Sequence, residues 1–318
     1  MWTRRRALEF DIHGLPRIDG ISDLAWHAGY SSRHVWWLLH FPERAYRIFV
    51  IPKRSGGGRQ IAAPKGALKG LQRWILRTVL QNLRVSAASR GFIPGARTRD
   101  NAESHVGAIA VLKLDLRDFF SSISIARVTA VFARAGYSRK ASSILARICT
   151  FKGVLPQGAP SSPYLASLCC RHLDARLSGF AQQQGFVYTR YSDDITVSST
   201  DVTSLAKSRN LIVHIIRESG FQINRSKSRF SGPRQALVVT GLTVRADGVG
   251  IGRKRMRQIR AWLHRSHSLG LGDELERMQG WLDYLSDADG DRYRILRAFA
   301  ERLLREERGS VISTLRWR

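Results

Sequence analysis

Three carboxylates stand where a folding chain gains nothing from them. Asp193 and Asp194 are adjacent in Phe186-Val187-Tyr188-Thr189-Arg190-Tyr191-Ser192-Asp193-Asp194-Ile195-Thr196-Val197-Ser198. Two β-branched and aromatic runs around a short polar step read as strand, tight turn, strand. Neighbouring acids at such a tip repel each other unless a cation neutralises them. A bare Asp-Asp pair is ordinarily a solvated turn, but Asp115 occupies an equally odd place. It ends the apolar run Ala110-Val111-Leu112-Lys113-Leu114, before a helical pattern begins. Together the three acids supply ligands for two divalent cations. Mg²⁺ takes a few carboxylate oxygens and fills its shell with waters and substrate phosphates. A cation pair lowers the pKa of an attacking hydroxyl and stabilises a leaving pyrophosphate. Taken alone, Asp115 would serve equally as a helix N-cap. Asp118, round the turn from the apolar face, reads as surface or cap.

The elements that must position these acids are legible in the apolar spacing. Two short helices are expected within Ser22 to His40, with an apolar face (Trp26, Val35, Trp36, Leu38, Leu39) that must dock elsewhere. Ala45 to Pro52 and Arg59 to Ala63 read as a hairpin around Lys53-Arg54-Ser55-Gly56-Gly57-Gly58. Its glycines let backbone approach a ligand closely, and Lys53 and Arg59 flank it as candidates for a triphosphate. Helical spacing covers Ala67 to Leu83, Ile125 to Ala135, Lys140 to Phe151, Tyr164 to Phe180 and Val202 to Gly220. Gly91-Phe92-Ile93-Pro94-Gly95 is a turn-rich link into a polar helix around Asn101 and His105. Leu155-Pro156-Gln157-Gly158-Ala159-Pro160-Ser161-Ser162-Pro163 is too rich in proline for a helix or central strand. It forms a stiff loop able to hold Gln157 against a nucleotide, with Ser161 or Ser162 capping the next helix. Two short strands are expected around Ala236 to Val244, and helices from Gly252 to Arg305.

Composition points to a polyanionic partner. Lys and Arg number 52 against 25 Asp and Glu among 318 residues, a formal net charge of +27. An excess of this size is usually retained for nucleic acid. Arg253, Lys254, Arg255, Arg257, Arg260 and Arg265 fall in a stretch without an acid between Gly252 and Gly272, as a phosphate-tracking face would. No long apolar run or leader pattern argues for a membrane, so the chain is expected to be soluble and cytoplasmic. Cys149, Cys169 and Cys170 fit neither a zinc spacing nor a disulfide framework and are expected to be buried thiols.

The order of these motifs resembles a reverse transcriptase from about Phe49 to Val244. Within that superfamily the chain resembles the bacterial retron reverse transcriptases. Asn101-Ala102-Glu103-Ser104-His105 is similar to their Asn-Ala-x-x-His signature, and Val239-Thr240-Gly241 to their Val-Thr-Gly signature. The family's usual Tyr-Ala-Asp-Asp is Tyr-Ser-Asp-Asp here. Ser192 is small and is not one of the metal ligands, so activity is expected to survive. The resemblance implies an α+β right-hand polymerase fold, with an antiparallel palm sheet packed on helices. It implies a helical N-terminal extension over 1–44 and fingers over 45–110, with a family insertion at 90–108. A palm over 111–250 would be interleaved with fingers elements around 125–155, and an RNA-binding helical thumb would span 251–318.

Carried over by position, the resemblance implies that Asp115, Asp193, Asp194 and the Leu116 carbonyl hold two Mg²⁺ ions, with Mn²⁺ as a substitute. Lys53 and Arg59 would clamp the incoming dNTP, and Phe120 would stack beneath its sugar and exclude a 2′-hydroxyl. Gln157 would contact the nucleotide, and Lys227 would donate a proton near the pyrophosphate. Asn101, His105, Val239, Thr240, Gly241, Arg253, Lys254, Arg255, Arg257 and Arg260 would meet the RNA. The implied partners are a cognate noncoding RNA serving as template and primer, its branched RNA–DNA product, and an effector protein in antiphage defence. Two alternatives compete: another bacterial reverse transcriptase, of a diversity-generating or defence system, and a non-catalytic RNA-binding scaffold. All three carboxylates are present, against the scaffold.

Overall fold

The structure is a computed structural model that describes residues 14–52, 56–270, 275–306 and 310–317. Helices α1 (Ile21–Ala28), α2 (Ser32–His40) and the short α3 (Pro42–Ala45) lead into the hairpin β1 (Tyr46–Pro52) and β2 (Gly58–Pro64). Its base is anchored by the buried Tyr46 and Ala62, while Ile48, Phe49, Val50 and Ile51 stay exposed toward the tip. Helices α4 (Gly66–Thr78) and α5 (Thr98–Glu103) precede β3 (Ala110–Leu116). Then come α6 (Ile125–Arg134), α7 (Arg139–Cys149), α8 (Ser162–Cys169) and α9 (Arg171–Gln183). The second hairpin is β4 (Val187–Tyr191) and β5 (Asp194–Ser199), followed by α10 (Val202–Glu218) and β6 (Ile223–Ser231). A small sheet of β7 (Leu237–Val239), β8 (Leu242–Val244) and β9 (Val249–Gly250) leads into α11 (Arg253–Leu269), α12 (Leu275–Ala288) and α13 (Gly290–Glu306).

The central sheet is antiparallel in the order β4-β5-β3-β6, and its two faces do different work. Side chains alternate along a strand. Thus Ala110, Leu112, Leu114 and Leu116 of β3 enter the main core with Tyr188, Ile195 and Val197. On the opposite face Val111 joins a second core with Ala102, the β7–β9 sheet and the C-terminal helices. Lys113 and Asp115 share that opposite face, further along β3. Strand β3 is therefore the seam between the two cores.

Most expected elements are present, with several differences. The helix expected over Tyr164 to Phe180 is two helices, broken where Cys170 opens to φ −84°, ψ −1°. Strand β6 was not expected, because Arg225, Lys227 and Arg229 leave no apolar alternation to read. Ser161 stands at the N-cap of α8, but its hydroxyl caps nothing there; Ser31, Ser138 and Asp201 do cap their helices. Cys149 and Cys170 are buried and Cys169 half-buried, all as free thiols, and burial pushes the Cys149 thiol up to about 12. Among the described residues no helix is long and apolar enough to cross a membrane.

Candidate active site

Strand register brings the acids together. Tyr191 pairs with Asp194, Asp194 with Asp115, and Asp115 with Asn224, so these four side chains form a row across the sheet on one face. Cross-strand partners have Cβ atoms about 5 Å apart, close enough for two carboxylates to share a cation. Asp193 is the second residue of the two-residue turn. Its carbonyl accepts the Leu116 N–H at 2.9 Å, stitching the tip to the end of β3. Burial first, and then the charges of Asp193 and Asp115, raise the Asp194 carboxyl above the ordinary aspartate range; Lys113 and Lys227 oppose this. Lys113 lies two residues before Asp115 on the same face and was missed in the sequence, where it reads as a polar interruption of an apolar strand.

Behind the row, on the helix-packed face, is a buried ion pair. Arg190 and Asp174 are both fully buried. The Arg190 guanidinium donates from Nε and Nη2 to the two Asp174 oxygens, at 2.8 and 2.7 Å. Such a two-pronged geometry suits arginine and carboxylate. The Tyr188 hydroxyl donates to the same carboxylate at 2.8 Å. The remaining guanidinium nitrogen donates to the Ser192 carbonyl at 3.0 Å. Ser192 sits at φ 61°, the first position of a tight turn where glycine is usual. The turn that aims Asp193 and Asp194 is thus held from beneath by Arg190. The break at Cys170 orients α9 so that Asp174 meets β4.

Lys227 reaches the site through an irregularity in β6. Lys113 pairs with Arg229, whereas Asp115 pairs with Asn224, so β6 bulges between these points. The Ser228 hydroxyl donates to the Asn224 carbonyl at 2.8 Å and closes the bulge. Bulges re-aim side chains beside active sites. Here the Lys227 ammonium lies 3.3 Å from an Asp115 oxygen and remains half-exposed.

The other expected nucleotide contacts surround this row. Gln157 is half-buried, and its carbonyl accepts the Ala62 N–H of β2 at 2.9 Å, so the stiff loop docks on the first hairpin. Gly158 has φ 119°, and a Cβ there would stand 2.8 Å from Ile61 and 3.2 Å from the Ala62 carbonyl. Only glycine allows that approach. Arg59 is exposed on β2; Lys53 lies outside the described residues. Phe119 is in the core, and Phe120 is half-buried against it at 5.5 Å between ring centroids.

The two family-like signatures fall mostly in the interior. Asn101 and His105 are each 1% exposed. His105 is hydrogen-bonded to Ser198 at 2.7 Å and Thr189 at 2.8 Å. Burial pushes its pKa down to about 4, so it is a neutral imidazole bridging two hydroxyls. The expected RNA contact at these two side chains is corrected: neither offers a surface to an RNA. They belong to a joint in which α5 grips β4 and β5 through His105 and enters the second core through Ala102. Polar strand residues Thr189 and Ser198 were the signal available for this. Val239 is also fully buried. Thr240 and Gly241 form the tip between β7 and β8, with the Thr240 hydroxyl donating to the Thr98 carbonyl of α5 at 2.9 Å. Arg253, Lys254, Arg255, Arg257 and Arg260 are all exposed on α11. Arg255 lies over Trp281 and Arg260 over Phe299, each 4.6 Å from the ring centroid.

Residues 51–244 match the reverse transcriptase (RNA-dependent DNA polymerase) family. The chain is 38% identical over 292 residues to the retron Ec86 reverse transcriptase of Escherichia coli, covering 91% of each protein. The chain is a retron reverse transcriptase. It is also 39% identical over 276 residues to the retron Mx65 reverse transcriptase of Myxococcus xanthus, covering 79% of this chain and 64% of that one. Among solved structures, telomerase from Candida albicans superposes with a TM-score of 0.53 at 14% identity, over 85% of this chain and 56% of that chain. That likeness is one of fold, and the fold is the right-hand polymerase fold. As a member of this family the protein is an RNA-directed DNA polymerase.

Proposed function

We propose that this reverse transcriptase copies its own structured noncoding RNA, using an internal guanosine 2′-hydroxyl of the same RNA as primer. The product is a branched RNA–DNA molecule, which works with an effector protein in antiphage defence. The observation that carries the catalytic part is the row in which Asp194 and Asp115 are cross-strand partners, with Asp193 at the adjoining tip. Among the described residues, no three His, Cys, Asp or Glu side chains form a ready-made metal shell. The donors fit an open site instead, for a hard cation completed by waters and substrate oxygens. Asp115, Asp193, Asp194 and the Leu116 carbonyl would hold two Mg²⁺ ions, with Mn²⁺ able to replace them. When bound, such ions supply charge stabilisation for phosphoryl transfer.

The chain's own residues then divide the remaining work. Arg59, joined by Lys53, neutralises the triphosphate. Gln157 orients the nucleotide, and Phe120 limits the space beside its sugar to a deoxyribose. In the transfer, the primer oxygen bonds the α-phosphorus and the α–β phosphoanhydride breaks. Lys227 gives a proton to the departing pyrophosphate, and the hydroxyl proton passes to solvent. Thr240, Gly241 and the basic face of α11 meet the RNA, where phosphate and 2′-hydroxyl contacts dominate. Fingers over 45–110, palm over 111–250 and thumb over 251–318 describe this division of labour.

The test is a double variant, Asp193→Asn with Asp194→Asn. DNA synthesis should fall at least ~1000-fold, equivalent to about 4 kcal/mol of barrier, while the cognate RNA still co-purifies. Undiminished primer extension would sink the carboxylate assignment. Sequencing the nucleic acid bound to the unaltered protein tests the priming mode: one structured transcript joined to DNA through a branch is expected. A pool of unrelated templates would instead favour a diversity-generating or other defence enzyme.

A further inference from the structure

The outer edge of the catalytic hairpin is not free. The segment from Ala88 to Phe92 runs beside β4: the Arg190 N–H donates to the Ala88 carbonyl and the Arg90 N–H to the Arg190 carbonyl, both at 2.8 Å. Gly91 then crosses the Tyr191–Ser192 peptide. A Cβ on Gly91 would lie 2.9 Å from the Ser192 nitrogen and 3.3 Å from the Tyr191 carbonyl carbon, so only glycine passes there. The next residue is Phe92. Its backbone is left-handed at φ 62°, a conformation that bulky side chains avoid. The residue is 46% exposed, and its ring lies 6.3 Å from the Tyr191 ring, tilted by 40°.

Phe92 therefore carries two costs, backbone strain and an exposed apolar ring, and burial repays neither. Strain of this kind persists where a site uses it. The site is adjacent: Tyr191 is in the same cross-strand row as Asp194 and Asp115, and Phe92 extends the row beyond Tyr191. The row has chemical polarity. At one end the Lys227 ammonium, 3.3 Å from Asp115, suits phosphate. At the other, two uncharged rings suit the base and sugar of a nucleoside. The nucleotide that carries the attacking hydroxyl must lie across the carboxylates from the leaving pyrophosphate.

We propose that Phe92 is a positioning residue for the priming nucleotide, forming with Tyr191 an aromatic ledge on the primer side of the carboxylates. The inference rests on the polymerase reading of those carboxylates given above. Removing an aromatic platform from under one nucleotide costs roughly tenfold in its binding, by analogy with base stacking.

Primer extension on poly(rA) annealed to oligo(dT), with Mg²⁺ and dTTP, tests it in the full chain. Phe92→Gly removes both ring and strain, so its melting temperature should hold or rise. Its KM for the annealed primer should rise roughly tenfold, with KM for dTTP unchanged. Phe92→Tyr and Phe92→Trp should restore the primer KM, and Phe92→Leu should not. A Phe92→Gly enzyme with the unaltered primer KM overturns the ledge, as does full rescue by leucine. The Asp193→Asn/Asp194→Asn variant runs beside these. If it extends the primer normally, the carboxylate reading has failed. If it is dead while Phe92→Gly behaves as the unaltered enzyme, only the ledge has failed.

Discussion

Two hairpins in this enzyme turn through two residues each, and each sets a side chain where a tight turn ordinarily uses glycine or asparagine. Ser192 has φ 61° between β4 and β5, and Thr240 has φ 46° between β7 and β8. They are held by different means. In the first turn Ser192 is buried and hangs, through its carbonyl, from a fully buried ion pair, Arg190 with Asp174. In the second, Thr240 is half-buried, Gly241 is exposed, and the turn hangs from one hydroxyl, Thr240 to the Thr98 carbonyl. Helix α5 ties the two together, since Thr98 begins it and His105, just past its end, grips β4 and β5. The turn that aims two like charges is fixed by charge, whereas the second turn is fixed by a single neutral hydrogen bond.

Breaking the first support has the largest expected effect. Arg190→Met leaves the Asp174 carboxylate buried and unpaired, which should cost about 3–5 kcal/mol of stability, read in urea unfolding. Adding Asp174→Leu should recover most of that stability, because apolar pairs replace buried ion pairs well. It should not recover DNA synthesis, since the Ser192 carbonyl would still lack its donor. Restored synthesis in the double variant would reduce the ion pair to a packing device.

The joint between the hairpins should respond to acid. His105 is held neutral in the fold, with its pKa pushed from near 6.5 to about 4. The unfolded chain therefore takes up the proton first as pH falls. Stability from this group is full above about pH 6.5 and is lost between there and pH 4, by about 3 kcal/mol in all. Urea unfolding at pH 7, 5.5 and 4 should show that loss, and His105→Gln should lack it. An identical pH dependence in the variant would remove His105 from the account.

The smallest effect is expected at the second turn. Thr240→Asn places a residue that tolerates the left-handed region before Gly241, the favoured pair for such a turn. It should raise stability by about 0.5 kcal/mol even after the Thr98 bond is lost. A fall in melting temperature would mean the hydroxyl outweighs the strain.

What was readable beforehand follows from range. The acids, both hairpins and the Gln157 loop are local patterns, so Asp115, Asp193 and Asp194 could be grouped before any fold was known. Contacts between distant segments left no such trace. Nothing local marks Arg190, because its partner Asp174 is on another element. Strand β6 was hidden by Arg225, Lys227 and Arg229, which look like a loop until β3 supplies its pairing. Asn101 and His105 are assigned to RNA by the family resemblance alone; a lone His on this short helix reads as structural. Here tertiary packing buries them.

The bond from the Ala62 amide to the Gln157 carbonyl ties the base of the first hairpin to the stiff loop. Arg59, three residues before that anchor on β2, is exposed, while Ala62 at the base is buried and tied to the Gln157 loop. The Ala62 amide proton is thus a built-in gauge of that docking. Its exchange with deuterium in solvent should be slow while the Gln157 loop stays docked, and should quicken in a Gly158→Ala variant, whose added methyl would crowd Ile61 and the Ala62 carbonyl.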